Sequence, residues 1–483
     1  MSTLEEIFYS STRILPEWIL FSGILVTCLA TVFTRSHGGR GLTFYLFALT
    51  ALFYVVSLLL SAPQVAAGGE TLYHGLVFLD RKATLVKQLA GVATLIFAVH
   101  SRLFSYPYSG EVYLLVLFAL LGLSFLSMTT HLLTAYVSLE LISLASYALV
   151  ASGKTKENFE AGIKYLLYGA TASALMLFGI SLFYGLTHEL NFTSEPFASA
   201  LALQSAGPVQ IISFMVLGGF LFKIAAAPFH HWVPDVYEST STPVISFLSF
   251  APKAAGFMFI ARWVTADFVQ LNHVLALVVA LSLVMGNFAA LWQTNFKRML
   301  GYSGIAHSGF ILTGLIMENN SHPYGTLFYL VAYLPMTMGS FFLADLVYSK
   351  IRTYDIAAMA GLGKRYPVLA LNAVVILISL VGLPPTVGFI AKLVVFTSLA
   401  NAALASSGYL LYGLLVFGLF NAAIALYYYL RPVYVMVIRD LSETHGGFRY
   451  HFWPTLALCY FSFTLVYLFL QAEKISDWVY SCF

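Results

Sequence analysis

The chain has 483 residues, 60% of them hydrophobic and 9% charged, with a formal net charge of +3. Soluble domains carry about 25% charged residues, so this composition excludes an ordinary soluble fold and reads as a polytopic membrane protein. The small positive charge gives no reason to expect nucleic-acid binding. Cys28, Cys459 and Cys482 are scattered, with no CxxC, no metal-ligand spacing and no disulfide framework, which argues against iron–sulfur ligation by this chain. Glu5 and Glu6 lead the chain, and no small-residue cleavage site follows the first apolar run. That run reads as a retained helix, not as a signal peptide.

A helix crosses a bilayer with about 20 mostly apolar residues, and by that measure the sequence predicts about fourteen spans in an all-α architecture. Spans 1 to 3 run over about 17–34, 43–61 and 79–99. Spans 4 to 6 run over about 112–128, 131–151 and 161–187, and spans 7 to 9 over 208–227, 243–264 and 274–293. Spans 10 and 11 cover about 302–317 and 324–348. Span 12, about 368–400, is interrupted at Pro384-Pro385, and spans 13 and 14 cover about 409–436 and 454–472. Arg35, Arg40, Arg102, Lys154, Lys156, Lys297, Arg298, Lys350, Arg352, Lys364, Arg365, Arg439 and Arg449 all fall in odd-numbered loops. Even-numbered loops hold none, though Arg262 lies near one span end. The positive-inside rule then makes the odd loops cytoplasmic and puts both termini on the periplasmic side.

Two spans couple a lysine to a proline break. Span 7 carries Phe222-Lys223 and then meets Pro228; span 12 carries Pro384-Pro385 and then Lys392. They lie five spans apart, and an odd repeat length inverts the copies in the membrane. The expected division is a three-helix segment over 1–111, a first repeat over 112–265, a second over 266–438 and a last helix over 439–483. The alternative is that prolines are simply common in membrane helices.

Ionisable residues inside these spans are costly and mark ion pathways or polar cavities. Glu140 lies mid-span, with Tyr136, Ser143 and Tyr147 at helical spacing. Such a carboxylate takes up a proton or finds a cation, and Lys223 is the candidate. A Glu–Lys contact that forms and breaks is a proton switch; a static buried pair is the alternative, and it stabilises little. Lys253 follows Pro252 and Lys392 lies deep in span 12, so snorkelling to the surface competes with a role inside the membrane. His307, between Ser303 and Ser308, either passes protons or packs by hydrogen bonding. Together Glu140, Lys223, Lys253, His307 and Lys392 would line a polar axis.

Weaker signals stand beside these. His230, His231, Asp235 and Glu238 lack the His-Glu-x-x-His spacing, and adjacent histidines should point to different sides, so a polar cytoplasmic cap over span 7 reads better than a metal site. Gly153-Lys154-Thr155 has Ala148 where a phosphate loop needs its first glycine, and Gly361-Leu362-Gly363-Lys364 lacks the rest of any nucleotide fingerprint. Arg81, Lys82 and Lys87 read as anchors of span 3, with Asp345 and Arg431 near span ends.

The stretch PFHHWVPDVYESTSTPVISFLSFAPKAAG closely resembles a signature of the antiporter-like membrane subunits of respiratory complex I, and most resembles the N-type branch. SLELISLASYAL, FKRMLGYSGIAHSGF and SLVGLPPTVGFIAK agree with it. The resemblance implies fourteen helices, inverted repeats at spans 4–8 and 9–13, and discontinuous spans 7 and 12. It carries the family's proton-transfer residues onto Glu140, Lys223, Lys253, His307 and Lys392. The loop charges put the turn of His230 and His231 on the cytoplasmic face, which makes these two the expected proton entry. One departure is Glu238-Ser239-Thr240-Ser241-Thr242, where the family commonly has a Gly-Ala-Pro run, which bears on local loop shape. The implied function is proton translocation in a bacterial inner membrane, coupled to quinone reduction elsewhere in an NADH–quinone oxidoreductase. NADH, FMN, iron–sulfur clusters and quinone would then sit on partner subunits, beside sister antiporter-like chains, lipid and internal water, with no cofactor on this chain. A cation/proton antiporter subunit without redox chemistry, or a non-conducting structural subunit, are the alternatives.

Overall fold

The computed structural model describes residues 3–34, 40–66, 68–266, 268, 270–316, 323–406, 409–440 and 452–483. The loop arginines Arg35 and Arg449 lie outside them. In a bilayer every backbone polar group must be satisfied within the chain, so apolar runs become helices. Thirteen helices among the described residues are long and apolar enough to cross a membrane. The chain is an all-α polytopic membrane protein.

The described chain divides into two compact units. The first holds Met1–Ile224, Ala251–Leu271 and Cys482–Phe483; the second holds Ala225–Phe250 and Asn272–Ser481. In the first unit, spans 1 to 6 are the helices Leu15–Thr34, Arg40–Ser61, Arg81–Leu103, Gly110–Met128, Leu132–Ala151 and Lys156–Thr187. Span 7 begins in this unit with Ala206–Lys223, and past a run of turns Val233–Ser239 belongs to the second unit. Span 8, Thr242–Thr265, belongs to the second unit up to Phe250 and to the first from Ala251. In the second unit, spans 9 to 11 are Asn272–Leu291, Phe296–Thr313 and Tyr324–Ile351. Span 12 comes as Pro367–Val381 and Val387–Ser406, followed by Tyr409–Val437 and Phe452–Leu470.

Caps explain where the expected boundaries moved. Span 6 starts several residues early because Thr155 accepts from the Asn158 amide. Span 10 starts at Phe296 because Asn295 accepts from the Lys297 and Arg298 amides. The charged pair hid that start from hydropathy, and this helix, rich in Gly, Ser and His, is not among the thirteen.

Both breaks follow from proline geometry. A proline has no amide hydrogen and its ring clashes with the carbonyl four residues back. Pro228 therefore bars helix through Ile224, and span 7 stops at Lys223. Pro384 and Pro385 likewise vacate the carbonyls of Leu380 and Val381, and the first half of span 12 stops at Val381. Gly382 takes φ +87° there and donates its amide to Ile378 and Ser379.

Outside the spans the first unit adds a short helix, Thr3–Arg13, and a hairpin pairing Glu70–Leu72 with Val77–Leu79. These pack as a small core of Ile14, Val65, Leu72, Val77, Leu79, Ala83 and Met128. Arg13 Nε donates to Glu70 at 2.8 Å, and its Nη2 binds the other carboxylate oxygen. The Arg13 hydrogen bonds hold the Glu70 carboxyl below the usual carboxylate range. A lowered carboxyl contributes stability above its unfolded pKa and loses it as pH falls through the folded value. Hydrogen-exchange protection in the hairpin, taken relative to the intrinsic rate at each pH, is therefore expected to fall on acidification below the ordinary glutamate range, and Glu70→Gln should remove that dependence.

Candidate functional site

Each unit holds buried ionisable side chains near proline breaks, with hydroxyls on neighbouring spans. Lys223, Lys253, His307 and Lys392 are between 1% and 6% exposed, so none snorkels to the surface. Placing one lysine at the centre of a membrane helix costs about 3 kcal/mol, and each needs compensation.

In the first unit Lys223 ends the first half of span 7. Its Nζ lies 3.4 Å from Ser143 Oγ, 3.2 Å from Ser146 Oγ and 3.3 Å from Tyr165 Oη. The rings of Tyr165 and Tyr147 face the ammonium at 5.5 and 5.9 Å. Hydrogen bonds to a charge contribute about 1.5–3 kcal/mol each at good geometry, and these are long. They offset the burial without locking the amine. Glu140 forms no ion pair with Lys223; its Oε1 instead accepts from Ser173 Oγ on span 6. The expected Glu140–Lys223 ion pair is not made in this structure: the carboxylate bonds span 6 and the amine bonds hydroxyls further along span 5.

Tyr147 reaches this position because span 6 has no side chain at Gly169. A β-carbon there would stand 1.7 Å from Tyr147 Oη. Gly169→Ala is expected to displace Tyr147 from its edge contact with Tyr165, a ring pair 4.7 Å apart, at an overpacking cost of about 1–3 kcal/mol. Proton pumping by the assembled complex should fall while its subunit content stays intact.

Lys253 is buried in span 8, one residue after Pro252. In the second unit His307 has a tyrosine on each ring nitrogen, Tyr329 Oη at 2.9 Å from Nδ1 and Tyr429 Oη at 3.1 Å from Nε2. Tyr429 also bonds Ser303, one turn back on the histidine's own helix. Lys392 occupies the place the double proline prepares: its Nζ donates to Val381 O at 2.6 Å and Leu380 O at 3.3 Å. These are the two carbonyls that Pro384 and Pro385 cannot serve, and a cation there also meets the negative end of the half-helix. The Phe310 ring lies 4.5 Å from the amine.

His230 is buried and His231 exposed, yet their rings lie side by side with centroids 4.4 Å apart and planes tilted by 31°. The expectation that they point to different sides is corrected: this segment runs as turns, where neighbouring side chains need not diverge.

Three residues depart from their sequence reading or were missed by it. Lys297 is no solvated loop lysine; it is 3% exposed, donates to Thr240 O at 2.6 Å and lies over the Tyr354 ring. The Glu238–Thr242 stretch, where the family pattern breaks, supplies that carbonyl as well as the Thr242 hydroxyl bonded to Tyr354. Lys87 is no anchor of span 3. It is buried against Glu17, which sequence reasoning passed over because it sits at the edge of the first apolar run. An acid in span 1 and a lysine in span 3 were the available signal.

The profile of the transmembrane family "NADH:quinone oxidoreductase/Mrp antiporter, TM" matches residues 129–424. The NADH-quinone oxidoreductase subunit N of Granulibacter bethesdensis is 36% identical over 455 residues, covering 91% of each chain. A chain of respiratory complex I from Thermus thermophilus, solved with bound aureothin, superposes with a TM-score of 0.80 at 31% identity, over 96% of this chain and 99% of that one. A chain of the Mrp complex from Dietzia sp. superposes at 0.81 with 18% identity, covering 97% of each chain, which shows the shared fold alone. The chain belongs to this family of antiporter-like, proton-translocating membrane subunits. Within it the sequence sides with the N-type subunits of NADH–quinone oxidoreductases, members of a translocase, and not with the antiporters.

Proposed function

We propose that Glu140, Lys223, Lys253, His307 and Lys392 carry protons through this chain, coupled to quinone reduction on partner subunits. The observation that supports this best is Lys223, a buried ammonium held by three hydroxyls while Glu140 is bonded elsewhere. Beside the carboxylate the ammonium keeps its charge. Among hydroxyls, which accept as well as donate, it can hand a proton on. Lys253 relays from this unit. His307, with a hydroxyl on each nitrogen, passes a proton by exchanging tautomers. Lys392 exchanges with the next segment or the far side, and water completes the path between these groups.

His230 and His231 stand at the entry on the cytoplasmic face. Loop charge supports cytoplasmic odd loops and periplasmic termini in a bacterial inner membrane. The repeats run over 112–265 and 266–438, flanked by 1–111 and 439–483. NADH, FMN, iron–sulfur clusters and quinone belong to partner subunits; sister antiporter-like chains adjoin this one.

Glu140→Gln in the assembled complex, reconstituted into vesicles, tests the switch. Fewer protons moved per electron are expected, and a wild-type ratio would sink it. Co-purification with flavin and iron–sulfur subunits checks the coupling to redox chemistry, and their absence would return the antiporter reading.

A further inference from the structure

The first unit holds a second carboxylate–lysine pair that the proton path above leaves unused. Lys87 Nζ donates to Glu17 Oε1 at 2.7 Å, and each side chain is 2% exposed. Ser124 Oγ donates to the same carboxylate oxygen, and Tyr54 Oη bonds Ser124 Oγ at 3.0 Å. Met128 Sδ lies 3.3 Å from the amine. Spans 1, 2, 3 and 4 thus each contribute one polar group or more. Glu17 Oε2, also buried, has no hydrogen-bond partner among the described residues. Among them the carboxylate is bonded through one oxygen only.

The pair lies at one end of these helices. Glu17 is in the first turn of Leu15–Thr34, Lys87 in the second turn of Arg81–Leu103, and Met128 closes Gly110–Met128. A second buried pair shares this end: Arg262 Nη2, on span 8, donates to Asp80 Oδ1 at 2.7 Å, and Arg262 Nε donates to Ser127 O at 3.2 Å. Ser127 and Met128 therefore join the lysine pair to the helix that carries Lys253. The charged and titratable groups around Glu17 are Lys87 and Tyr54, with Asp80 and Arg262 further along the same end.

A static buried ion pair stabilises little, since desolvation offsets attraction. The geometry leaves one buried carboxylate oxygen open to a further donor. We propose that Glu17 and Lys87 form the proton-release station of the first unit, on the end that carries the N-terminus. A proton arriving at Glu17 Oε2 makes the carboxyl neutral; Lys87, left without a counter-ion, passes its own proton to water, and the carboxyl proton returns to the amine to restore the pair. One proton enters and one leaves. This inference rests on the proton path proposed above.

The test uses the assembled complex in vesicles, with Glu17→Gln, Lys87→Met and the two combined, and Lys223→Ala as reference. The expected result is a loss of protons moved per electron in both single variants and in the double, while quinone reduction in detergent persists. A brace behaves differently: the double variant, free of any lone buried charge, would pump like wild type, and that overturns the proposal. Should a single variant fail to assemble, the double carries the test. Turnover-difference infrared spectra give a second readout. A protonated-carboxyl band is expected, shifted by Glu17→Asp and absent in Glu17→Gln; a band unmoved in both variants overturns the assignment. If Lys223→Ala also pumps normally, the path itself fails. If Lys223→Ala loses pumping and the Glu17/Lys87 double keeps it, only the release station falls.

Discussion

Lys223→Ala is expected to lower proton pumping by the assembled complex about tenfold or more, the factor that ~1.4 kcal/mol of lost transition-state stabilisation produces. The truncation removes the amine that Ser143, Ser146 and Tyr165 surround, so no group remains to alternate between them and the turn of Glu140. Lys223→Met separates charge from packing, because it keeps most of the buried stem. Both should show the same pumping loss. Lys223→Arg should not rescue it, since a planar fork cannot sit among three singly placed hydroxyls. Protons moved per electron in vesicles, read beside quinone reductase turnover, decide the matter. Wild-type coupling in Lys223→Met would remove this lysine from the path.

Lys392→Met should harm both pumping and stability. The lysine replaces two missing amide hydrogens, those of Pro384 and Pro385, on the carbonyls of Leu380 and Val381. Leaving a buried carbonyl without a donor costs about 1–3 kcal/mol. Thermal dissociation of the complex should therefore shift downward more than for Lys223→Met, whose hydroxyl partners can bond one another. Adding Pro385→Ala returns an amide that can serve Val381. Stability is then expected to recover in part while pumping does not. Recovery of both would make Lys392 a cap and nothing more.

Most of the span architecture was legible in the sequence, because a bilayer turns each apolar run into a helix. Both breaks were legible too, since a proline's effect reaches back a fixed four residues. The chemistry at the breaks was harder to read. Nothing in the spacing of Pro384, Pro385 and Lys392 says that the amine returns to the vacated carbonyls; that needs the two halves of span 12 in space. Glu140 and Lys223 were legible as charges but not as separated, because their distance depends on how spans 5 and 7 pack. Lys297 was misread because a lysine beside an arginine looks like a solvated loop. Glu17 was missed because an acid in a helix's first turn is ordinary capping chemistry until its burial is known.

The double proline has a consequence for how charge and backbone speak to each other. In most membrane helices a side chain can change protonation while the main chain stays indifferent. Here the ammonium of Lys392 stands in for two amide hydrogens, so the main chain registers its charge. On the proton path proposed above, loss of that proton would weaken the bonds to Leu380 and Val381 together and free the end of the half-helix to reseat. The joint in span 12 would then act as an electromechanical coupling, in which a single charge sets how firmly the half-helix is held.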